Sequence, residues 1–284
     1  MPQILQNKTA VITGATGVIG QAIARALAEE GCTLILSGRS ETKLQTLAKE
    51  LQSQGVKAYI QPARVEEESE VKKIMDLSVV KAGIDILILA HGTYGYIGPV
   101  EAAEPGDWLE AIKVNFFGTF LCIKYGLPLF KPNTIGKIIT FAGGGEGPLP
   151  NFSSYVTSKA AILRLTETLA AELKEKQVEV NAISPGAVNS GLNQELLAAG
   201  QERVGKKMNE QTLKQISGEE GVSADKAAAL AVFLSSDESN GLSGKNISAV
   251  WDNWRDIPKH LKELQASDVY ALRRVKPKDR GYDW

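Results

Sequence analysis

A chain of 284 residues can bury a sizeable core and still be one α/β domain with an added tail. With 43% hydrophobic and 23% charged residues it has the composition of a globular protein, and a formal net charge of −1 offers no general attraction to nucleic acid or to an anionic membrane. The opening MPQILQNKTAVITG lacks the charged-then-apolar layout of a secretion signal, and no apolar run approaches membrane-spanning length, so a cytoplasmic location is expected.

The first 183 residues alternate short β-rich runs with helical periodicity. Residues 9–13, 33–37, 58–60, 84–90, 137–141 and 178–183 are predicted strands, nearly continuous in Ile, Leu and Val as strands covered on both faces are. Between them, segments such as QAIARALAEE and ETKLQTLAKELQ repeat apolar residues every three or four positions. Gly31 and Gly55 stand where those helices should stop. Right-handed crossovers then predict a doubly wound, mostly parallel sheet in one domain over residues 1–250. Cys32, expected in a strand, and Cys122, expected on a helix, read as buried reduced thiols. His91 and His260 are far apart in sequence, so no metal site is expected.

The first strand runs into TGATGVIG, residues 13–20, and then a helix. Gly14 permits the tight turn, Gly17 lets backbone approach a diphosphate, and Gly20 lets helix pack on strand. The helix start adds free N–H groups and a positive dipole end, so a dinucleotide site is expected here. The second strand ends in Gly38 and Arg39, where NAD sites usually carry an acid for the ribose hydroxyls. A guanidinium suits a 2′-phosphate, so NADP is the expected cofactor, with NAD possible.

Further along, SSYVTSKAAILRLTETLAAEL (153–173) reads as a strong helix with Tyr155 and Lys159 four apart on one face. Residues 187–222 are polar and helical, which suggests a substrate lid. A helix at 225–236 and a last strand at 245–250 follow. The extension 251–284 holds Trp251, Trp254, Tyr270, Tyr282 and Trp284, too aromatic for a disordered tail, so it is expected to pack on the protein's own surface or on a neighbouring subunit. Its run RRVKPKDR admits a rival reading as a basic patch.

Over roughly residues 8–250 the chain resembles the short-chain dehydrogenase/reductase family. TGATGVIG, LAHG (89–92), VNFFGTF (114–120), YVTSK (155–159), NAISPGAVNS (181–190) and LSGK (242–245) carry the resemblance. It implies a Rossmann fold and hydride transfer between a nicotinamide cofactor and a ketone, aldehyde or 3-oxoacyl group. It also implies a homo-oligomer, dimer or tetramer, with a small carbonyl or alcohol compound as substrate. Tyr155 would exchange the proton, Lys159 would lower the phenol's pKa from about 10 and hold the ribose, and Asn115 would link Lys159 to a proton path. Gly14, Thr16, Gly17, Val18, Ile19, Gly20, Arg39, Ser40, Val65, Ala90, Gly92, Pro185, Gly186, Val188 and Ser190 would complete the cofactor site.

Four departures accompany the resemblance. Ala142 stands where the family has a catalytic Ser, Val18 where simple reductases have Gly, LAHG where they have NNAG, and Arg64 where an Asp faces the adenine. A lost carbonyl donor costs about 100- to 1000-fold in rate. Thr140, Ser154 and the backbone of Gly143–Gly145 are candidate replacements, and His91 a candidate acid/base or cofactor contact. Ala142 keeps open a cofactor-binding protein with little catalysis, and the glycine spacing a sugar-nucleotide-modifying enzyme.

Overall fold

The computed structural model describes residues 3–145 and 147–284. Its sheet has seven parallel strands: β1 Thr9–Thr13, β2 Thr33–Gly38, β3 Ala58–Pro62, β4 Ile86–Leu89, β5 Gly136–Phe141, β6 Val178–Ser184 and β7 Asn246–Ser248. Their spatial order is β3-β2-β1-β4-β5-β6-β7. The order reverses between β1 and β4, and the carboxyl ends of strands at such a switch point leave a crevice for a ligand.

Strand periodicity divides the core in two. Ala10, Ile12, Leu34, Leu36, Ile86, Ile88 and Ile139 face one layer, while Val11, Ile35, Leu87, Leu89 and Ile138 face the other. The first layer is covered by α1 (Val18–Glu29), α2 (Glu41–Ser53) and, later in the chain, α11 (Ala224–Ser235). The second is covered by α3 (Glu68–Met75), α4 (Ser78–Lys81) and the long helical stretch 105–126. That stretch comprises α5 (Pro105–Ala111), a π turn over Ile112–Phe117, and α6 (Gly118–Gly126). Gly31 and Gly55 end α1 and α2 at φ of +83° and +85°, the left-handed conformation that glycine adopts without steric cost.

Helix α7 (Ser153–Glu172) packs beside the π turn and buries Tyr155, Ser158, Lys159, Ile162 and Thr166, one face at helical spacing. The polar segment after β6 folds as α8 (Gly191–Ala199), α9 (Gln201–Val204) and α10 (Lys206–Ser217), with Val188 bridged to Val222 at its base. Beyond β7, Trp254 and Ile257 and then Leu264, on α12 (Leu261–Gln265), join the first core layer. The Trp254 ring lies 5.4 Å from that of Phe233 on α11.

Cys32 lies one residue ahead of β2 rather than within it, and Cys122 is on α6. Both thiols are buried, unpaired and pushed up to about 12 by burial. The extension divides. Trp254 is buried and Tyr270 half-buried, whereas Trp251 and Trp284 are 85% and 82% exposed and Tyr282 stacks on Trp284 in solvent. Arg273 pairs with Asp268 and Asp279, so acids within the extension answer part of its basic run. No helix of the described residues is long and apolar enough to cross a membrane.

Candidate active site

The cleft at the switch point opens above the turn between β1 and α1. Gly14 has φ of +70°, and a β-carbon there would stand 2.5 Å from the His91 backbone nitrogen. A β-carbon on Gly20 would overlap the Gly14 carbonyl, whereas one on Gly17 would meet only that carbonyl oxygen, at 3.4 Å. The turn is therefore compressed on its protein side and open at Gly17, where α1 begins with no side-chain cap. Bare N–H groups and a positive helix end facing a glycine cradle fit a dinucleotide diphosphate. Thr16, Val18 and Ile19 line the same cleft.

One end of the cleft is formed by Gly38, Arg39, Lys43, Val65 and Glu66, the other by Ala90, Gly92, Ala142, Tyr155, Lys159, Pro185 and Ser190. Lys43 adds a second cation that its position in the first turn of α2 could have signalled. Four residues expected at the cofactor or in catalysis are not on its wall. Ser40 caps α2, its Oγ accepting from the Lys43 N–H at 3.4 Å. Gly186 turns the chain against Val250, and Val188 is buried in the bridge to Val222. Asn115 lies one layer behind, buried in the π turn, a helix irregularity frequent at functional sites. Its side chain accepts from the Thr93 N–H and donates to the Thr93 carbonyl and to Ser158 Oγ, each at 2.9 Å. Asn115 thus fastens the loop after β4 to α7.

Tyr155 and Lys159 stand together as the helix spacing requires, with Lys159 Nζ 5.9 Å from the phenol ring centroid. Nζ donates to the Phe141 carbonyl at 2.9 Å. Burial pushes Lys159 down to about 8. Burial also raises Tyr155, and Tyr94 and Glu195 add to the rise. In this state the phenol is harder to ionise, against the expectation that Lys159 lowers it. Desolvation penalises both charged forms, and the ammonium is engaged with a backbone carbonyl.

Of the replacements for a serine at 142, two face elsewhere. Thr140 Oγ1 is buried against Thr166 Oγ1 at 2.9 Å, behind the strand. Ser154 Oγ donates to the Trp108 carbonyl. Only the glycine turn meets the site, since a β-carbon on Gly143 would overlap the Tyr155 hydroxyl. Thr140 is held by its partner on α7, and position 154 lies about 100° around the helix from 155.

His91 lines the cleft, yet both ring nitrogens are held by protein, Nδ1 at 2.7 Å from Thr13 Oγ1 and Nε2 at 3.3 Å from Thr119 Oγ1. Thr119 Oγ1 in turn donates to the Asn115 carbonyl at 2.7 Å. One neutral tautomer satisfies this chain: Thr13 donates to Nδ1, and Nε2–H donates to Thr119. Burial first, then the Lys159 charge, pushes His91 down to about 3. The ring is a neutral strut rather than a free acid or base. Arg64 is not on the cleft wall and pairs with Glu66, which is, at 2.9 Å.

Glu195, on α8, was not foreseen among the site residues. It reaches the cleft wall, its Oε2 accepting from Thr93 Oγ1 at 3.0 Å and the Tyr94 N–H at 2.8 Å. Ser190 Oγ caps the same helix, accepting from the Leu192 N–H at 3.3 Å.

Residues 8–201 match the family model described as short chain dehydrogenase. The chain belongs to the short-chain dehydrogenase family. A D-beta-hydroxybutyrate dehydrogenase of Rhizobium meliloti strain 1021 is 32% identical, the match covering 85% of this chain and 96% of that one. Among solved structures, an NAD+-bound xylitol dehydrogenase superposes with a TM-score of 0.75 at 29% identity, covering 86% of this chain and 98% of that one. A gluconate 5-dehydrogenase from Burkholderia cenocepacia J2315, in complex with NADP and tartrate, superposes with a TM-score of 0.74 at 26% identity, covering 87% and 95%. As a short-chain dehydrogenase the protein is an NAD(P)-binding oxidoreductase acting on alcohol and carbonyl groups of small molecules. Both cofactors occur among its structural neighbours.

Proposed function

We propose that this short-chain dehydrogenase interconverts a small alcohol and its ketone, aldehyde or 3-oxoacyl counterpart, with NADP(H) preferred to NAD(H), as a dimeric or tetrameric enzyme. The observation that carries the reaction is one cleft shared by the glycine cradle, Tyr155 and Lys159. When bound, the nicotinamide supplies or accepts the hydride. The residues of the chain hold, orient and exchange the proton. Gly14, Gly17 and Gly20 with the start of α1 receive the diphosphate. Arg39 and Lys43 meet the adenosine phosphate at the end of the cleft, where Gly38 offers no carboxylate to hold ribose hydroxyls.

At the other end the Tyr155 hydroxyl gives its proton to the carbonyl oxygen during reduction and takes it back during oxidation. Burial keeps the phenol protonated in this state, the form that gives the proton during reduction. Lys159 lies beside it to hold the ribose, and Asn115 positions both by tying α7 to the Thr93 loop. Of the candidates for the missing serine's place, the Gly143 turn is the one that approaches the Tyr155 hydroxyl. Ala142 favours a second reading, a cofactor-binding protein with little turnover.

Fluorescence titration of NADPH and NADH, with wild type and Arg39→Ala, tests the cofactor assignment. Wild type should bind NADPH at least about tenfold tighter, and the variant should lose most of that advantage, as removal of a charge-assisted phosphate contact would. Equal wild-type affinities would overturn it. NADPH oxidation against a broad carbonyl panel separates the two readings, since the second expects no robust turnover. Sedimentation of the full chain checks the assembly, and a monomer at micromolar concentration would refute it.

A further inference from the structure

Five charged side chains line the cleft among the described residues. Arg39, Lys43 and Glu66 belong to the end built by β2 and β3, and Lys159 donates to the Phe141 carbonyl and lies where the ribose is proposed to bind. The fifth is Glu195, brought over the cleft by α8. Its Oε2 is taken by Thr93 and Tyr94, and Oε1 has no protein donor among the described residues. No lysine or arginine of the described residues forms an ion pair with it. The flank it approaches is otherwise apolar. The rings of Tyr94 and Phe152 meet edge-on at 5.3 Å and those of Tyr94 and Tyr155 at 4.6 Å, packed with Leu149 and Leu196. Burial holds the Glu195 carboxyl above its ordinary range, and its charge is felt at the Tyr155 phenol.

A half-buried carboxylate with one free oxygen, close enough to the proton-exchanging tyrosine for its charge to act there, discriminates by charge. A hydroxyl or ammonium on the substrate can donate to Oε1 at the gain of a charge-assisted bond. A substrate carboxylate meets a like charge that Arg39 offsets only in part, since burial still outweighs it, and each ionised form disfavours the other. Building on the oxidoreductase reading above, we propose that Glu195 selects the substrate class: alcohols and ketones that carry a hydroxyl or ammonium group near the reacting carbon, with carboxylate-bearing substrates disfavoured. The hydroxy acid in the name of the Rhizobium relative then belongs to the rejected class, despite the similarity of the two chains.

Three probes on one skeleton isolate the charge: 4-amino-2-butanol, 1,3-butanediol and 3-hydroxybutyrate. Two readouts are taken for wild type, Glu195→Gln and Glu195→Asp: kcat/KM for NADP-dependent oxidation, and calorimetric dissociation constants in the same backgrounds carrying Tyr155→Phe, where chemistry does not intrude. Wild type should favour the diol and the amino alcohol over the hydroxy acid by about tenfold or more in both readouts. Glu195→Gln should reduce that ratio by about tenfold, and Glu195→Asp, which keeps the charge, should retain most of it. A wild type that accepts the hydroxy acid as well as the diol, or a ratio untouched by Glu195→Gln, overturns the inference. If none of the three probes is turned over, the binding ratios decide it. Failure of the whole carbonyl panel would count against the oxidoreductase reading instead.

Discussion

Ala142 and Gly143 together define what is unusual about this site. The first removes a hydroxyl from the carbonyl's surroundings, and the second brings backbone so near Tyr155 that a β-carbon would overlap the phenolic oxygen. A methyl group at Gly143 must push the hydroxyl away or move the turn, and a misplacement of about 1 Å can cost roughly 100-fold in rate. Gly143→Ala should therefore lower kcat by about that factor while cofactor affinity changes little. Steady-state kinetics with NADPH titration checks it, and undiminished kcat would show that the turn yields without consequence. The Tyr155–Lys159 pair was legible from a spacing of four on one helix. The fate of Thr140 and Ser154 was not, because a hydroxyl's direction depends on the partner it finds. Those partners, Thr166 and the Trp108 carbonyl, are 26 and 46 residues away.

The elements repeat the lesson at a longer range. Periodicity of two and of 3.6 located the strands and the helices of the sheet, since both are properties of neighbouring residues. The extension obeyed only half of its expectation. Lys245, in the LSGK stretch, donates to the carbonyls of Ser267 and Val269 at 2.8 and 2.9 Å, and the Tyr270 carbonyl accepts from the Asn246 N–H at 2.9 Å. The segment up to Tyr270 is thus bound to the edge of the sheet, while Tyr282 and Trp284 remain in solvent. Burial of Trp254, Ile257 and Leu264 stabilises by about 1.5–3 kcal/mol each, and each kcal/mol moves the melting point of a protein this size by roughly 2–4 °C. Truncation after Val250 should lower Tm by about 10 °C or more, whereas truncation after Gly281 should shift it by less than about 2 °C. Calorimetric melting of the two shortened chains distinguishes them, and equal melting points would show the packed half to contribute nothing.

For the molecule as a whole, His91 ties three elements at the mouth of the cleft: Thr13 on β1, Thr119 on α6 and the chain leaving β4. Its pKa is depressed in the folded state, to about 3 from an ordinary 6.5. The unfolded chain therefore binds the extra proton first as pH falls. The stability that the neutral ring supports is fully present above about pH 6.5 and is lost progressively as pH drops toward about 3. The cofactor-free protein should lose up to about 1.4 kcal/mol per pH unit in that window through this group. Denaturant melts between pH 7 and 4 should be visibly flatter for His91→Gln than for wild type. Parallel slopes would remove His91 from the account.

By itself the sequence determined the doubly wound sheet, the glycine cradle, the basic end at Arg39 and the spacing of Tyr155 and Lys159. Each of these rests on residues within one turn of helix or one strand–turn–helix unit, where sterics and hydrogen bonding act locally. Only the tertiary structure decided that Glu195 bonds to Thr93, 102 residues away, and that Asn115 braces the loop instead of lining the cleft. It also decided that burial raises the Tyr155 phenol and lowers the Lys159 ammonium. The physical reason is that side-chain charge and hydrogen bonding are set by solvent exclusion and by distance in space, and neither is a function of distance along the chain.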